Sequence, residues 1–306
     1  MTLKSVRVFA PAKVNLTLHV TGRRDDGYHL LDSLVTFAPI GDWLTIQGGN
    51  TLSLVVEGPE AQDVPADMNN LALKAAALVA GGQGGALTLE KYLPAASGIG
   101  GGSADAAAAW RGMLVMGAEG QTQADYLWSA PEVLLETHAN ALLGLGADVP
   151  MCLLSQSCRA RGIGEKIGLV KLPPVPALLA NPRVQVATPK VFNALISSDN
   201  APMPDSIPTF ADAKALIDWV STCRNDLEQP ATHIEPIIGQ VLDELWALEG
   251  CHLARMSGSG ATCFGLFSEV EAAQKAATAL QKLHPEWWIA GGLLGNQMSR
   301  ALPVVS

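Results

Sequence analysis

Apolar and polar residues alternate in several short runs near the N-terminus. Residues 6–9 and 14–20 read as strands. In the second run Leu16, Leu18 and Val20 alternate with Asn15, Thr17 and His19, the period of a strand with one buried face. A polar turn at 23–27 precedes further strand runs at 30–37 and 43–47, with Gly41-Asp42 as the break between them, and another at 52–57. At Asn70 the period changes. Leu and Ala dominate 70–80, which predicts a helix closed by Gly81-Gly82. A strand at 86–90, a glycine loop at 97–102 and an alanine-rich helix over 103–116 follow, then helices over 124–128 and 132–143.

Three prolines, Pro173, Pro174 and Pro176, make 172–176 the best linker, because proline continues neither a helix nor a central strand. Beyond it the pattern predicts a strand at 177–180 and a proline-punctuated loop to about 210. Helices at 211–220 and 234–248 come next, then strand 253–256, a glycine turn, strand 262–267, helix 269–283 and strand 287–291. This helix–β–β–α–β order suits a small α+β sandwich. The expectation is a two-domain α+β chain divided into 1–174 and 175–306.

Composition narrows the function. With 306 residues, 48% apolar and 16% charged, the chain has enough core-forming sequence to exclude disorder. A net charge of −9 argues against a nucleic-acid partner, whose phosphates call for basic side chains. No run of 18 apolar residues occurs, so no membrane association is expected, and the N-terminal stretch lacks the long apolar region of a secretion signal. Cys152, Cys158, Cys223, Cys251 and Cys263 are odd in number and form no C-x-x-C pair. They read as reduced thiols of a cytoplasmic protein.

The 30 glycines are the loudest compositional feature, and four of them crowd into Ser97-Gly98-Ile99-Gly100-Gly101-Gly102-Ser103 between a strand and a helix. Such a loop lets backbone N–H groups converge with no Cβ in the way, and a helix N-terminus stands behind them, which suits a nucleotide's phosphates. The spacing is not that of the P-loop, which needs a lysine at the loop's end. Nor is it the dinucleotide fingerprint, which needs Gly or Ala where Ser103 stands. The plain alternative is a tight strand–helix connection with Ser103 as N-cap.

Pro94-Ala95-Ala96-Ser97-Gly98-Ile99-Gly100-Gly101-Gly102-Ser103-Ala104-Asp105 resembles the phosphate-binding motif of the GHMP small-molecule kinases. Four more segments follow in family order. They are Pro11-Ala12-Lys13-Val14-Asn15-Leu16, Asp26-Gly27-Tyr28-His29, Gly146-Ala147-Asp148-Val149-Pro150 and Ser257-Gly258-Ser259-Gly260-Ala261-Thr262. The resemblance implies the GHMP kinase fold: an N-terminal nucleotide-binding α/β domain and a C-terminal ferredoxin-like α+β sandwich. It implies ATP and Mg²⁺, with Ser103 as the candidate metal contact. The branch marked by Asp26-Gly27-Tyr28-His29 implies 4-diphosphocytidyl-2-C-methyl-D-erythritol as the small-molecule substrate and a monomer or weak homodimer. GHMP kinases of other alcohols, a silent nucleotide-binding relative and a dinucleotide-dependent oxidoreductase are the rival readings.

Residue roles follow from the same resemblance. Asp148 stands beside the acceptor hydroxyl as base or orienting group and Lys13 beside both as electrostatic partner. Plain readings are a helix N-cap for Asp148 and a surface charge for Lys13. Residues 94–104, with Lys91 and Asn70, are expected at the nucleotide. Asn15, Tyr28, His29, Gly258, Ser259 and Gly260 are expected at the substrate, and Phe192 supplies a second aromatic face for a base stacked on Tyr28. Asp105 is read as structural, and Arg224-Asn225-Asp226-Leu227-Glu228 as a helix cap. Two positions depart from the family pattern: Ile99 replaces a leucine, and Ala104 stands where many relatives have a second serine.

Overall fold

The computed structural model describes residues 5–117 and 131–306. The helix expected at 124–128 lies outside them. Two antiparallel-dominated sheets organise the chain. The first holds β1 (Ser5–Asn15), β2 (His19–Arg23), β3 (His29–Gly49), β4 (Leu52–Glu57), β5 (Gly84–Glu90), β6 (Cys158–Gly162), β7 (Lys166–Leu169) and β12 (Val304–Val305). The path β12-β1-β3-β5-β4 runs through one end of β3, while β2 and β6 pair with its other end.

The runs at 30–37 and 43–47 are thus one 21-residue strand, and the expected break at Gly41-Asp42 is a register shift. Pro11 pairs with Gly41 and Lys13 with Phe37, so β3 carries extra residues there. Glycine permits the close crossing: a Cβ at Gly41 would sit 2.1 Å from the Ala10 carbonyl oxygen. Likewise β1 continues through Pro11 to Asn15, so the proline bends a strand at a bulge without ending it.

Helices α1 (Leu71–Val79) and α2 (Gly101–Gly117) cover one face of this sheet. Alanines make the close approach possible: Ala104, Ala106, Ala107, Ala108 and Ala109 of α2 are all buried. Helix α3 (Pro131–Leu145) leads into the short α4 (Val149–Leu154).

The second sheet contains β8 (Val175–Asn181), β9 (Cys251–Met256), β10 (Cys263–Phe267) and β11 (Trp288–Leu294) in the order β11-β8-β10-β9, all antiparallel. Strand order 4-1-3-2, with α8 (Ile237–Ala247) and α9 (Val270–Leu283) against it, is the ferredoxin-like sandwich that the family resemblance implies. Between β8 and β9 lie α5 (Thr188–Asn193), α6 (Ala213–Ser221) and α7 (Glu228–Ile234). The apolar core does not stop at the linker. One cluster joins Ala12, Val14, Leu16 and Leu34 to Val175, Leu179, Phe264 and Leu294, and the chain's end returns to β1 as β12.

Candidate active site

A cleft of about 760 Å³ opens between the two sheets. Its floor is the glycine loop. Gly98 and Gly100 have φ of +78° and +66°, conformations that glycine adopts without a Cβ penalty. A Cβ at Gly98 would lie 2.5 Å from the Ser257 carbonyl oxygen, and one at Gly258 would lie 2.7 Å from the Gly98 carbonyl oxygen. The glycine loop and the 257–262 turn of the second sheet therefore interlock backbone to backbone. Thr262 N–H donates to the Ser97 carbonyl, and the buried Ser257 hydroxyl accepts from Asn15 N–H and donates to the Gly98 carbonyl.

Lys13 sits just past the bulge in β1, with its N–H donating to the Ile99 carbonyl and its aliphatic stem packed against Gly100. Its Nζ lies 2.8 Å from Asp148 Oδ2. Asp148 occupies the N-cap position of α4, yet its side chain makes no capping hydrogen bond. The carboxylate is half-exposed toward the cleft, whereas Lys13 is buried, so a shielded ammonium holds an accessible carboxylate at one spot.

Asn15 also faces the cleft. Its Nδ2 donates to Ser33 Oγ, which orients the amide, and its buried Oδ1 has no partner. A buried acceptor left open in this way is suited to a ligand's hydroxyl.

At the cleft's far end the His29 and Phe192 rings stack, centroids 4.8 Å apart and 21° from parallel. Burial, then the nearby Arg23 charge, lowers the His29 pKa and favours the neutral ring. Tyr28 lines the same end with its side chain mostly exposed. The short helix α5 brings Phe192 against the start of β3, where its ring meets His29, and Tyr28 and Phe192 both line this end of the cleft.

The other expected site residues divide into those that line the cleft and those that do not. Ala96, Ser97, Gly101, Gly102, Ser103, Gly258 and Ser259 line the cleft. Pro94, Ala95, Ile99, Ala104 and Gly260 are not among its walls: Ile99 and Ala104 are core residues, and Gly260 is buried behind the turn. Lys91 lies under the loop with its Nζ committed to Asp42 and Asp105, each carboxylate nearly or fully buried. Asn70 caps α1: its Oδ1 accepts from Ala72 N–H and its Nδ2 donates to the Pro65 carbonyl. Asp105 is structural, as expected from its place in the first turns of α2.

The sequence did not assign the contacts made by Asn225, Thr188 and Ser257. Asn225 donates from Nδ2 to the carbonyls of Met256 and Gly258 and so fixes the turn's shape. Reading 224–228 as a helix cap hid this, although Asn225 Oδ1 does accept from Leu227 N–H. Thr188 Oγ1 lies 2.8 Å from Ser259 Oγ, and Ser257 joins the two turns. Beyond the Leu227 cap, none of these contacts follows from local spacing, since the partners lie between 31 and 242 residues away.

The family models for the GHMP kinases N terminal domain and the GHMP kinases C terminal match residues 70–156 and 211–286. The chain belongs to the GHMP kinase family and is an ATP-dependent small-molecule kinase. Within it the chain groups with the 4-diphosphocytidyl-2-C-methyl-D-erythritol kinases. It is 50% identical to the one from Roseobacter denitrificans over 98% of this chain and 97% of that protein. The one from Paramagnetospirillum magneticum is 49% identical, covering 94% and 98%. A crystal structure of 4-(cytidine 5'-diphospho)-2C-methyl-D-erythritol kinase superposes with TM-score 0.72 at 33% identity, over 94% of this chain and 99% of that one. Homoserine kinase from Cytophaga hutchinsonii, at 20% identity and TM-score 0.64 over 99% and 97%, shares the fold. Among the described residues no helix is long and apolar enough to cross a membrane.

Proposed function

We propose that the chain transfers the γ-phosphate of ATP to the 2-hydroxyl of 4-diphosphocytidyl-2-C-methyl-D-erythritol by direct in-line displacement. The observation that carries this reading is the 2.8 Å Lys13–Asp148 pair set beside a glycine loop inside one cleft. Phosphoryl transfer asks little covalent chemistry of a protein; it asks for positioning and for charge stabilisation. The backbone N–H groups of 97–103 hold the triphosphate. Asp148 accepts or orients the acceptor hydroxyl's proton, and Lys13 keeps that carboxylate in place and offsets charge developing on the transferred group. Asn15 Oδ1 receives a hydroxyl of the substrate. The polyol's cytosine enters between the aromatic groups at the far end, with Phe192 and Tyr28 as faces and His29 as polar partner. The 258–260 turn closes over the substrate phosphates. Residues 1–174 hold the nucleotide in this reading and 175–306 complete the substrate side.

Mg²⁺ fits the donor set. Among the described residues no group of three or more His, Cys, Asp or Glu is arranged to hold a metal alone, and the cleft offers the Ser103 hydroxyl and the Asp148 carboxylate. Such a sparse oxygen set suits an ion that keeps waters and arrives on substrate phosphates. When bound, the ion neutralises phosphate charge.

A coupled ADP-release assay with Mg-ATP, offering 4-diphosphocytidyl-2-C-methyl-D-erythritol, mevalonate and homoserine in turn, tests this reading. Turnover is expected only with the cytidyl alcohol, and Asp148→Asn should lower kcat by roughly 10²–10⁴-fold with ATP affinity retained. Turnover with another alcohol alone removes the cytosine pocket from the reading; a fully active Asp148→Asn removes the base.

A further inference from the structure

We propose that Arg111 is a positioning residue for the phosphoryl-transfer site, tying together the three elements that carry the glycine loop, Lys13 and Asp148. This rests on the roles given above to Lys13 and Asp148. Arg111 is completely buried in the middle of α2, the helix that begins at the glycine loop. Its Nη2 donates to the Phe9 carbonyl on β1, the strand that carries Lys13. Its Nη1 donates to the carbonyls of Cys152 and Leu153 at the end of α4, the helix headed by Asp148. Cys152 N–H in turn donates to the Asp148 carbonyl, so only one helical turn separates the guanidinium's grip from the carboxylate. Lys13 Nζ to Asp148 closes the ring on the cleft side. The pair is therefore held at both ends, through side chains in the cleft and through Arg111 beneath it.

Stability alone does not explain an arginine here. Among the ion pairs of the described residues none includes Arg111, and its Nε has no partner. Burial pushes its pKa down to about 10, the mark of a charge taken from water without a counter-ion. Buried charges of this kind are weak stabilisers, and an apolar side chain of similar volume commonly serves a core better. What an apolar residue lacks is a planar fork that reaches two elements at once, and lysine lacks it too. The carbonyls it binds come from elements far apart in sequence, so the fork sets their separation.

The test compares Arg111→Lys and Arg111→Met with the unaltered chain. Active sites are titrated by ATP binding and turnover is expressed per site, since a merely structural defect lowers the number of sites and not the rate at each. Misplacement of reacting groups by about 1 Å costs on the order of 10²-fold in rate. Turnover per site should fall about 100-fold in Arg111→Met and about 10-fold in Arg111→Lys, with the ATP dissociation constant changed less than threefold. Unaltered turnover per site in either folded variant overturns the proposal. So does a loss that tracks ATP affinity, or a failure of both variants to fold, which would make the residue structural. Asp148→Asn is run alongside. If it abolishes turnover while the Arg111 variants do not, only the positioning role fails; if it leaves turnover intact, the catalytic reading fails and the positioning role with it.

Discussion

Burial pushes the Asp105 carboxyl up to about 8; the Lys91 ammonium pulls it back, and the neighbouring Asp42 adds to the rise. Lys91 is raised in turn: burial lowers its pKa, and the two carboxylates outweigh that loss. The Asp105 carboxyl is thus held well above the ordinary carboxylate range, beneath the loop proposed to bind phosphate. For an acid whose folded pKa is raised, the sign is fixed. Its contribution to stability is complete below the unfolded value of 3.8 and is lost as pH rises toward about 8. Asp105→Asn removes that titration. Its melting temperature relative to the unaltered chain should climb between about pH 4 and 8 and flatten above. A difference independent of pH would show that Asp105 does not titrate in this window. Lys91 also marks how far a residue can be read in isolation. The family resemblance places a nucleotide contact at Lys91, but Asp42, distant in sequence, turns inward at the β3 bulge and captures it.

Two glycine turns, one from each half, meet backbone to backbone in the cleft. The 257–262 turn leans on Gly98 and is held from behind by Asn225, whose Nδ2 reaches the Met256 and Gly258 carbonyls at 2.8 and 2.9 Å. Glu228 accepts from Met256 N–H beside it. Asn225→Ala leaves two carbonyls without this donor, and stability should fall by about 2 kcal/mol in chemical denaturation. The KM for the alcohol should rise more than the KM for ATP, because the glycine loop keeps its own hydrogen bonds. Equal changes in both would place Asn225 outside the substrate side. The helices themselves were legible from periodicity: 70–80 and 269–283 were expected within a residue or two of α1 and α9. The strands were legible as apolar runs but not as continuous elements, because Gly41 and Pro11, which normally punctuate, here sit at a bulge.

At the scale of the molecule the two sheets share a core. Leu18 and Val20 from the N-terminal half pack with Leu178, Ala180 and Met256, and Ala12 and Val14 with Val175 and Phe264. Splitting the chain at 174 would expose both sets to water, at roughly 25 cal/mol per Å² of apolar surface. Calorimetry of the intact chain should show one cooperative transition, and a fragment of residues 1–174 should show none. Two separable transitions would mean that the shared core does not couple the halves.

The sequence by itself determined the class of the molecule. Its glycine-rich loop, the lysine and aspartate in their motifs, and the helix–β–β–α–β order of its second half are local patterns, set by residue type and short spacing. Tertiary structure alone decided the rest. It stacked His29 on Phe192, withdrew Lys91 into a buried cluster and joined three elements at Arg111. Each of these depends on groups far apart in the chain, and their partners are chosen by how sheets and helices pack, which periodicity along a sequence does not record.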